Sequence, residues 1–523
     1  MTDVPNLDLT GANVLVESLA DQGVTACFAN PGTSEMHLVT ALDQEPRIRS
    51  VLCLFEGVAT GAADGFARIS GTPPMTLLHL GAGFLNAGAN LHNANRANSP
   101  IINVIGDHAV PHLKYDAPLT SNIRGLVAPI MRWTKSADTL EGIGRLAVEA
   151  YRASLGPAPG PVALILPADT AWTTGAQKAP KPEVQLGLRH VSSAEIDAAA
   201  TELSEAKAPL ILMNGTALKP TGLEAAAQLK GAGIRMMTDT FFPIMRRGAG
   251  VFAPDRMQYF AEAAMADIEG CDLMVTVGTQ LPVAFFSYPG KPSLLVPDGC
   301  KTLQLGGADT DAAETLHSLA DALGAADPVP PTELLLPEAP SGALDAAVVG
   351  ASLARHMPEH AIVSDDGVSN GLLSYLPTQN ARPHDWMMLT GGAIGQGMPL
   401  ALGAAIAAPE RKVICLSGDG AGMYTNQALW SMAREAADVT TIVFVNHSYR
   451  ILNIELHRTG AGNPGPTAQN MLSIGGPDID WVSLAESMGV AAVETETAEA
   501  FDSALANAMA KAGPHLIAAI VPG

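Results

Sequence analysis

Unbroken apolar runs constrain this chain more than any other feature. They are "PMTLLHL" (74–80), "PIINVIG" (100–106), "PVALILP" (161–167), "APLILMN" (208–214), "CDLMVTVG" (271–278), "KVICLSG" (412–418) and "TTIVFVN" (440–446). A strand with one wetted face alternates apolar and polar residues, whereas a strand without alternation is covered on both faces. Ala-rich stretches with helical spacing separate the runs. Strand and helix alternating in this way predict an α/β protein of parallel sheets with helices on both sides. A chain of 523 residues has room for about three such units at ~100–200 residues each. Two polar, Pro-containing stretches, 169–187 and 326–342, divide it. The expected domains are 1–175, 188–325 and 343–523, each a doubly wound parallel sheet.

Composition excludes some classes of function. A net charge of −22 disfavours binding to nucleic acid, whose phosphates require a basic face, and to anionic membrane surfaces. The longest apolar stretch, near Pro399 to Pro409, is about half of the ~20 residues a membrane span needs. The first residues lack a basic segment followed by an apolar core, so no secretory leader is expected. The five cysteines are scattered, odd in number and without a Cys-x-x-Cys pair. Structural zinc and a disulfide framework are therefore not expected, and a cytoplasmic location is.

The segment "LSGDGAGMYTNQALWSMAREAADVTTIVFVNHSY" (416–449) carries the first chemical signal. It reads as a strand ending at Ser417, a helix over 425–438 with Leu429, Met432, Ala433 and Ala436 on one face, and a second strand. The crossover of such a β-α-β unit is right-handed and its strands are parallel, so both strand ends lie on the same edge. Asp419 and Asn446 then project into the crevice where α/β proteins bind ligands. A carboxylate and an amide oxygen side by side suit a hard cation such as Mg²⁺, which completes its shell with phosphates and water. Gly418 and Gly420 allow a phosphate to approach the backbone. Taken singly, Asp-Gly is a common turn and Asn446 a plausible helix cap; together with the intervening unit they favour the metal.

Two further stretches extend the site. "LTGGAIGQGMPLALGAAIA" (389–407) has a glycine cluster that fits neither the Walker nor the dinucleotide pattern. "VLCLFEGVATGAADGFARISG" (51–71) ends a strand at Glu56 and continues as a small-residue helix, with Asp64 and Arg68 expected on its outer turns. A carboxylate there is partly desolvated, which favours its protonated form and suits proton exchange.

Gly-Asp-Gly followed about 25 residues later by Asn resembles the thiamine-diphosphate (ThDP) binding motif. The resemblance implies that Asp419 and Asn446 bind Mg²⁺ by side chain and Ser448 by its backbone carbonyl. It also implies that the Gly392 carbonyl holds the cofactor's aminopyrimidine and that Ile394 wedges the cofactor into a V. Strand–Glu56–helix–"ADGFAR" resembles the family's glutamate motif, whose carboxylate hydrogen-bonds an aminopyrimidine nitrogen. One departure is His447, where the family usually has a second Asn. The resemblance names the three domains pyrimidine-binding, central and diphosphate-binding. It also implies a homodimer or homotetramer with sites at the subunit interface.

Within the family, "FANPGTSEMHLVTAL" (28–42) and "LLHLGAGFLNAGANLHNANRANSPIINVIGD" (77–107) resemble the benzoylformate decarboxylase and acetolactate synthase group. Thr33 and His79 match the residues that handle substrate carboxylate and protons. The second active-site His of the decarboxylase is replaced by Phe286 and Ser287, a change that favours carboligation over aldehyde release. Pro118 and Leu119 stand where acetolactate synthases usually have Phe-Gln. Phe285, Phe286, Leu119 and Met398 are candidates for an apolar pocket or for plain core. The implied reaction is decarboxylation of a 2-oxo acid and transfer of the acyl carbanion to a second carbonyl or to a proton. An acyl-CoA lyase, a diketone hydrolase and a non-catalytic subunit are the alternatives, and no FAD is expected.

Overall fold

The computed structural model describes residues 9–180 and 187–522. Most of the 169–187 stretch is therefore covered, and its first four residues close a short helix, Ala168–Trp172. The first sheet contains β1 (Ala26–Asn30), β2 (Arg49–Leu52), β3 (Met75–Leu78), β4 (Ile101–Asp107), β5 (Thr134–Ser136) and β6 (Pro161–Pro167). Its order is β2-β1-β3-β4-β6-β5, all parallel. The next strands are β7 (Pro209–Met213), β8 (Arg235–Thr238), β9 (Ile244–Arg247), β10 (Asp255–Arg256), β11 (Leu273–Val277) and β12 (Lys301–Leu305). Five of them form the parallel central sheet β10-β8-β7-β11-β12.

The third sheet is built from β13 (Ile362–Asp366), β14 (His384–Met388), β15 (Val413–Gly418), β16 (Val439–Val445), β17 (Ala491–Thr495) and β18 (His515–Ile520). Its order is β17-β18-β16-β15-β13-β14-β9. The architecture is the α/β arrangement of three doubly wound sheets that the apolar runs predict, with one addition. β9 comes from the 188–325 segment yet pairs antiparallel with β14, Met245 opposite Trp386. An antiparallel edge strand on a parallel sheet is a common closure, and here it ties the central segment to the third sheet. Among the described residues no helix is long and apolar enough to cross a membrane.

The unbroken runs become strands buried along their whole length, as in β3, β6, β7, β11 and β16. Edge strand β17 is mostly exposed. The crossover after β15 differs from its expected form. Instead of one helix over 425–438 there are two, Asp419–Thr425 and Ala428–Arg434. Ala436 adopts φ +50° and turns the chain back into β16.

Two helices lock the first and third sheets together. Glu56–Ser70 packs on Gly397–Ala407, and the backbones touch where both sequences run through small residues. A Cβ on Gly403 would lie 1.8 Å from the Ala62 carbonyl oxygen, and one on Gly65 would lie 2.0 Å from that of Leu400. Asp64 and Arg68 are buried on this helix rather than on outer turns. A buried charge needs a partner, and Arg68 Nη2 meets Asp64 Oδ2 at 2.6 Å. Arg68 Nη1 also donates to the carbonyls of Met388 (2.8 Å) and Pro243 (3.0 Å), and Gln396 Nε2 donates to Asp64 Oδ2 at 2.6 Å. The helix matches the expectation and the place of its charges does not, because the carbonyls and the amide that complete this ion pair come from residues far along the chain.

Candidate active site

Glu56 sits at the first position of its helix, just past β2, and is buried. Asn30 Nδ2 donates to its Oε1 at 3.2 Å and Asn86 Nδ2 to its Oε2 at 2.9 Å. Both oxygens therefore have a donor and retain lone-pair capacity for one more. His79 caps the helix Leu80–Arg96 where β3 ends. A Cβ on Gly83 would meet Glu56 Oε1 at 3.3 Å and His79 Cβ at 3.5 Å, so the two side chains flank that glycine.

The residue that orients His79 is Glu35. Its Oε2 lies 2.8 Å from His79 Nδ1, and the Gly32 N–H donates to the same oxygen at 2.9 Å. Glu35 is 1% exposed. Room for it exists because Gly106 has no side chain: a Cβ there would fall 1.8 Å from Glu35 Oε1. A carboxylate on Nδ1 fixes the tautomer and leaves Nε2 as the working nitrogen. Thr33, in the 3₁₀ turn Thr33–Glu35, is exposed beside this pair, and its neighbour Ser34 makes the closer contact, Oγ to His79 Nδ1 at 3.2 Å. No periodicity in the sequence marks Glu35.

The second cluster lies at the ends of β15 and β16. Asp419 Oδ2 accepts from the N–H groups of Asn446 (3.0 Å) and His447 (2.8 Å), and its Oδ1 accepts from Gly420 N–H (2.8 Å). Asn446 Oδ1 in turn accepts from Ser448 N–H at 3.1 Å. Burial raises the Asp419 carboxyl above its ordinary range, and the three N–H donors oppose that shift. Gly420 is tightly lined: a Cβ there would lie 2.5 Å from the Tyr449 ring. Gly418 ends β15 one residue later than expected. His447 has φ +52° and turns its ring toward Asp478, Nδ1 to Oδ1 at 3.4 Å. Its contribution at Asp419 is thus the backbone N–H.

The glycine-rich loop is held from two sides. Gly392 and Gly395 have φ +76° and +93°, the left-handed region that glycine adopts without cost. Asn93 grips the loop, Nδ2 to the Ala393 carbonyl at 2.8 Å and Oδ1 to Ala393 N–H at 3.2 Å, and His92 Nε2 lies 3.1 Å from the Gly391 carbonyl oxygen. On the other side Asp366 Oδ2 accepts from the N–H groups of Gly395 (2.8 Å) and Gly397 (3.1 Å). Ile394, half-buried, lies between these anchors. Asn93 and Asp366 were missed in the sequence because their partners lie about 300 and 30 residues away.

The apolar candidates separate. Met398 is core at 1% exposure, and Leu119 is exposed on the first segment. Phe285 stacks near Tyr259, ring centroids 4.8 Å apart, and Phe286 lies 6.3 Å from Tyr288. Tyr288 Oη donates to Glu455 Oε2 at 2.9 Å. Glu455 belongs to the helix Arg450–Arg458, which directly follows the Asn446–Ser448 turn. The aromatic group therefore leans on an element that leaves the Asp419 cluster.

No hydrogen bond or ion pair joins the Glu56 group to the Asp419 group among the described residues. Two dissimilar half-sites, one of proton-handling groups and one of hard oxygens, are what a cofactor with a ring at one end and a diphosphate at the other requires.

The comparisons with known proteins identify the family. Residues 9–126 match the thiamine pyrophosphate enzyme N-terminal TPP binding domain, and residues 367–519 match the C-terminal TPP binding domain. The chain is 46% identical, over 98% of its length and 99% of the relative's, to the Mycobacterium tuberculosis protein named "Putative acetolactate synthase large subunit IlvX". It is 28% identical, over 96% of its length and 97% of the relative's, to benzoylformate decarboxylase of Pseudomonas aeruginosa. Its fold is similar to that of the thiamine diphosphate-dependent 4-hydroxybenzoylformate decarboxylase of Rhodococcus jostii RHA1, with a TM-score of 0.85 at 24% identity, covering 98% of this chain and 99% of that one. The chain belongs to the thiamine-diphosphate-dependent enzymes, in the group of acetolactate synthases and benzoylformate decarboxylases.

The residues present fit the cofactor. The donor set at Asp419 and Asn446 is hard oxygen with one carboxylate. It is too small to hold a divalent ion by itself and suited to one that shares phosphate oxygens. Among the described residues no group of three or more His, Cys, Asp or Glu offers an alternative metal site.

Proposed function

We propose that this protein is a 2-oxo acid decarboxylase and carboligase, joining the acyl unit left after CO₂ loss to a second carbonyl. Glu56, buried and flanked by two amide donors with His79 beside it, is the observation that carries this reading. Thiamine diphosphate, when bound, would supply the carbon nucleophile for the 2-oxo group. Glu56 would hold a ring nitrogen of the aminopyrimidine and carry the proton exchanged there. The Asp419 and Asn446 side chains and the Ser448 carbonyl would hold Mg²⁺, and the backbone at Gly418 and Gly420 would receive the diphosphate. The Gly392 carbonyl would hold the aminopyrimidine and the Ile394 side chain would support the cofactor.

His79 Nε2, with Nδ1 held by Glu35, gives and takes protons at the substrate oxygen, and Thr33 binds the substrate carboxylate. Phe286 and Ser287 put no titratable group on the substrate side. Reprotonation of the acyl carbon then relies on His79 alone, which lengthens the time available for attack on a second carbonyl. The Glu35–His79 pair also supports a second reading, release of the aldehyde after protonation. The working unit we infer is a homodimer or a homotetramer built from it, with Glu56 of one subunit facing Asp419 of another across the interface.

The test is product analysis by NMR after incubation with Mg²⁺, thiamine diphosphate and, in turn, pyruvate, benzoylformate and a branched 2-oxo acid. A hydroxyketone is the expected product. Free aldehyde alone would establish the second reading, and no consumption of any of the three would overturn both.

A further inference from the structure

A cleft of about 250 Å³ opens between the central segment and the third sheet, and none of the residues assigned above lines it. Four arginines line it, Arg235 of β8, Arg246 and Arg247 of β9 and Arg256 of β10, against two carboxylates, Asp255 and Asp267. This is a local excess of positive charge in a chain whose net charge is −22.

Two of the arginines are already engaged. Arg246 Nε pairs with Asp385 Oδ1 at 2.7 Å, and Arg235 Nη2 donates to the Asp267 carbonyl. Arg247 and Arg256 have no carboxylate oxygen within 4.0 Å among the described residues. Arg247 is 6% exposed. It donates one hydrogen bond, Nη2 to the Tyr375 carbonyl at 3.0 Å, and its buried Nε has no partner. Its guanidinium lies 3.3 Å from the centroid of the Tyr375 ring, and that of Arg256 lies 4.7 Å from the same ring. The nearby buried carboxylate of Asp365 is already used by Trp386 Nε1 at 3.2 Å and Gly367 N–H at 3.0 Å.

Burying a guanidinium without a hydrogen-bonded counter-charge is costly. Two of them on one aromatic ring, with unused donors, form a fork suited to an oxyanion. We propose that this cleft binds a small organic anion, carrying phosphate or carboxylate, whose charged group is taken by Arg247 and Arg256. The rest of the molecule lies against Tyr375, Leu372 and Leu376, which line the same cleft. The volume exceeds that of inorganic phosphate alone and admits a compact metabolite. This inference does not depend on the reaction proposed above.

The experiment uses holoenzyme saturated with thiamine diphosphate and Mg²⁺, so that the cofactor's own phosphate site is filled. Inorganic phosphate, citrate and ADP are titrated separately by calorimetry and in thermal melts, with sodium chloride of matched ionic strength as the control. The expected result is that at least one of the three binds one per chain and raises the melting temperature above the chloride control. Its affinity should fall about tenfold or more in Arg256→Gln, with cofactor affinity unchanged. Arg247→Gln should weaken it further. If that variant does not fold, the rim variant Arg256→Gln decides alone. Absence of binding by all three anions, or binding that survives Arg256→Gln, would overturn the proposal.

Discussion

Burial pushes Asp366 up to about 7 from the 3.8 of a free aspartate, against the pull of the Gly395 and Gly397 N–H groups. A carboxyl whose proton is held more tightly in the folded state gives stability that is full at low pH. That stability is lost as pH rises from about 4 to about 7, because the unfolded chain releases the proton first. At ~1.4 kcal/mol for each tenfold in proton affinity, the loss is at most about 4 kcal/mol. Asp366→Asn removes this titration. In melts of the cofactor-free protein across pH 5 to 8, the melting temperature of the variant relative to wild type should rise with pH and level off above about 7. A difference independent of pH would refute the assignment. Residue by residue, the candidates legible in the sequence were those on motifs: Glu56, Asp419 and Asn446. Glu35, Asn93 and Asp366 were not, since what gives each its role is a partner on another element.

Among elements, the helix pair Glu56–Ser70 and Gly397–Ala407 does most to set the site. One helix begins at Glu56, and the other begins two residues beyond Gly395 in the glycine-rich loop, so their contact sets the relation between those groups within one chain. The small residues of "ATGAADGFA" and "PLALGAAIA" permit backbone approach that side chains would forbid. Gly403→Ala should therefore force the helices apart, since the new Cβ meets backbone atoms of Ala62 and Phe66 rather than a flexible side chain. A loss of about 1–3 kcal/mol is expected in denaturant unfolding, together with weaker cofactor binding by calorimetry. Unchanged stability would show that the contact is not tight. The seven apolar runs, which form β3, β4, β6, β7, β11, β15 and β16, and the helices after Glu56 and Gly397 were legible from pattern alone. The end of the helix at Arg434, short of residue 438, was not, because the chain reverses at Ala436, a residue type that gives no turn signal.

At the scale of the whole molecule, the separation of the Glu56 and Asp419 groups within one chain bears on assembly. If each site draws Glu56 from one subunit and Asp419 from its partner, two defective variants complement each other. Glu56→Gln should bind cofactor and turn over poorly, and Asp419→Ala should not bind cofactor. Mixed and reassembled, they should recover about a quarter of wild-type activity, because half the dimers are mixed and each has one intact site. No recovery, in mixtures proven by mass to contain heterodimers, would mean that each site lies within one subunit. β9 adds a second feature of the whole: a strand of the central segment completes the third sheet and carries Arg246 and Arg247 to the inter-sheet cleft.

The sequence by itself determined the class of fold and the thiamine diphosphate cofactor, and it nominated the groups proposed to handle it. Strand burial on both faces follows from local composition, and a metal-diphosphate motif needs particular residue types at a particular spacing. Only the tertiary structure decided which carboxylate orients His79, that Asp64 and Arg68 form a buried junction, and that β9 leaves its own sheet. Apart from the Asp64–Arg68 ion pair itself, whose remaining partners are Met388, Pro243 and Gln396, these are pairings between residues tens to hundreds of positions apart. Their energy arises from desolvation and close packing once the sheets have assembled, and neither is present in any short stretch of chain.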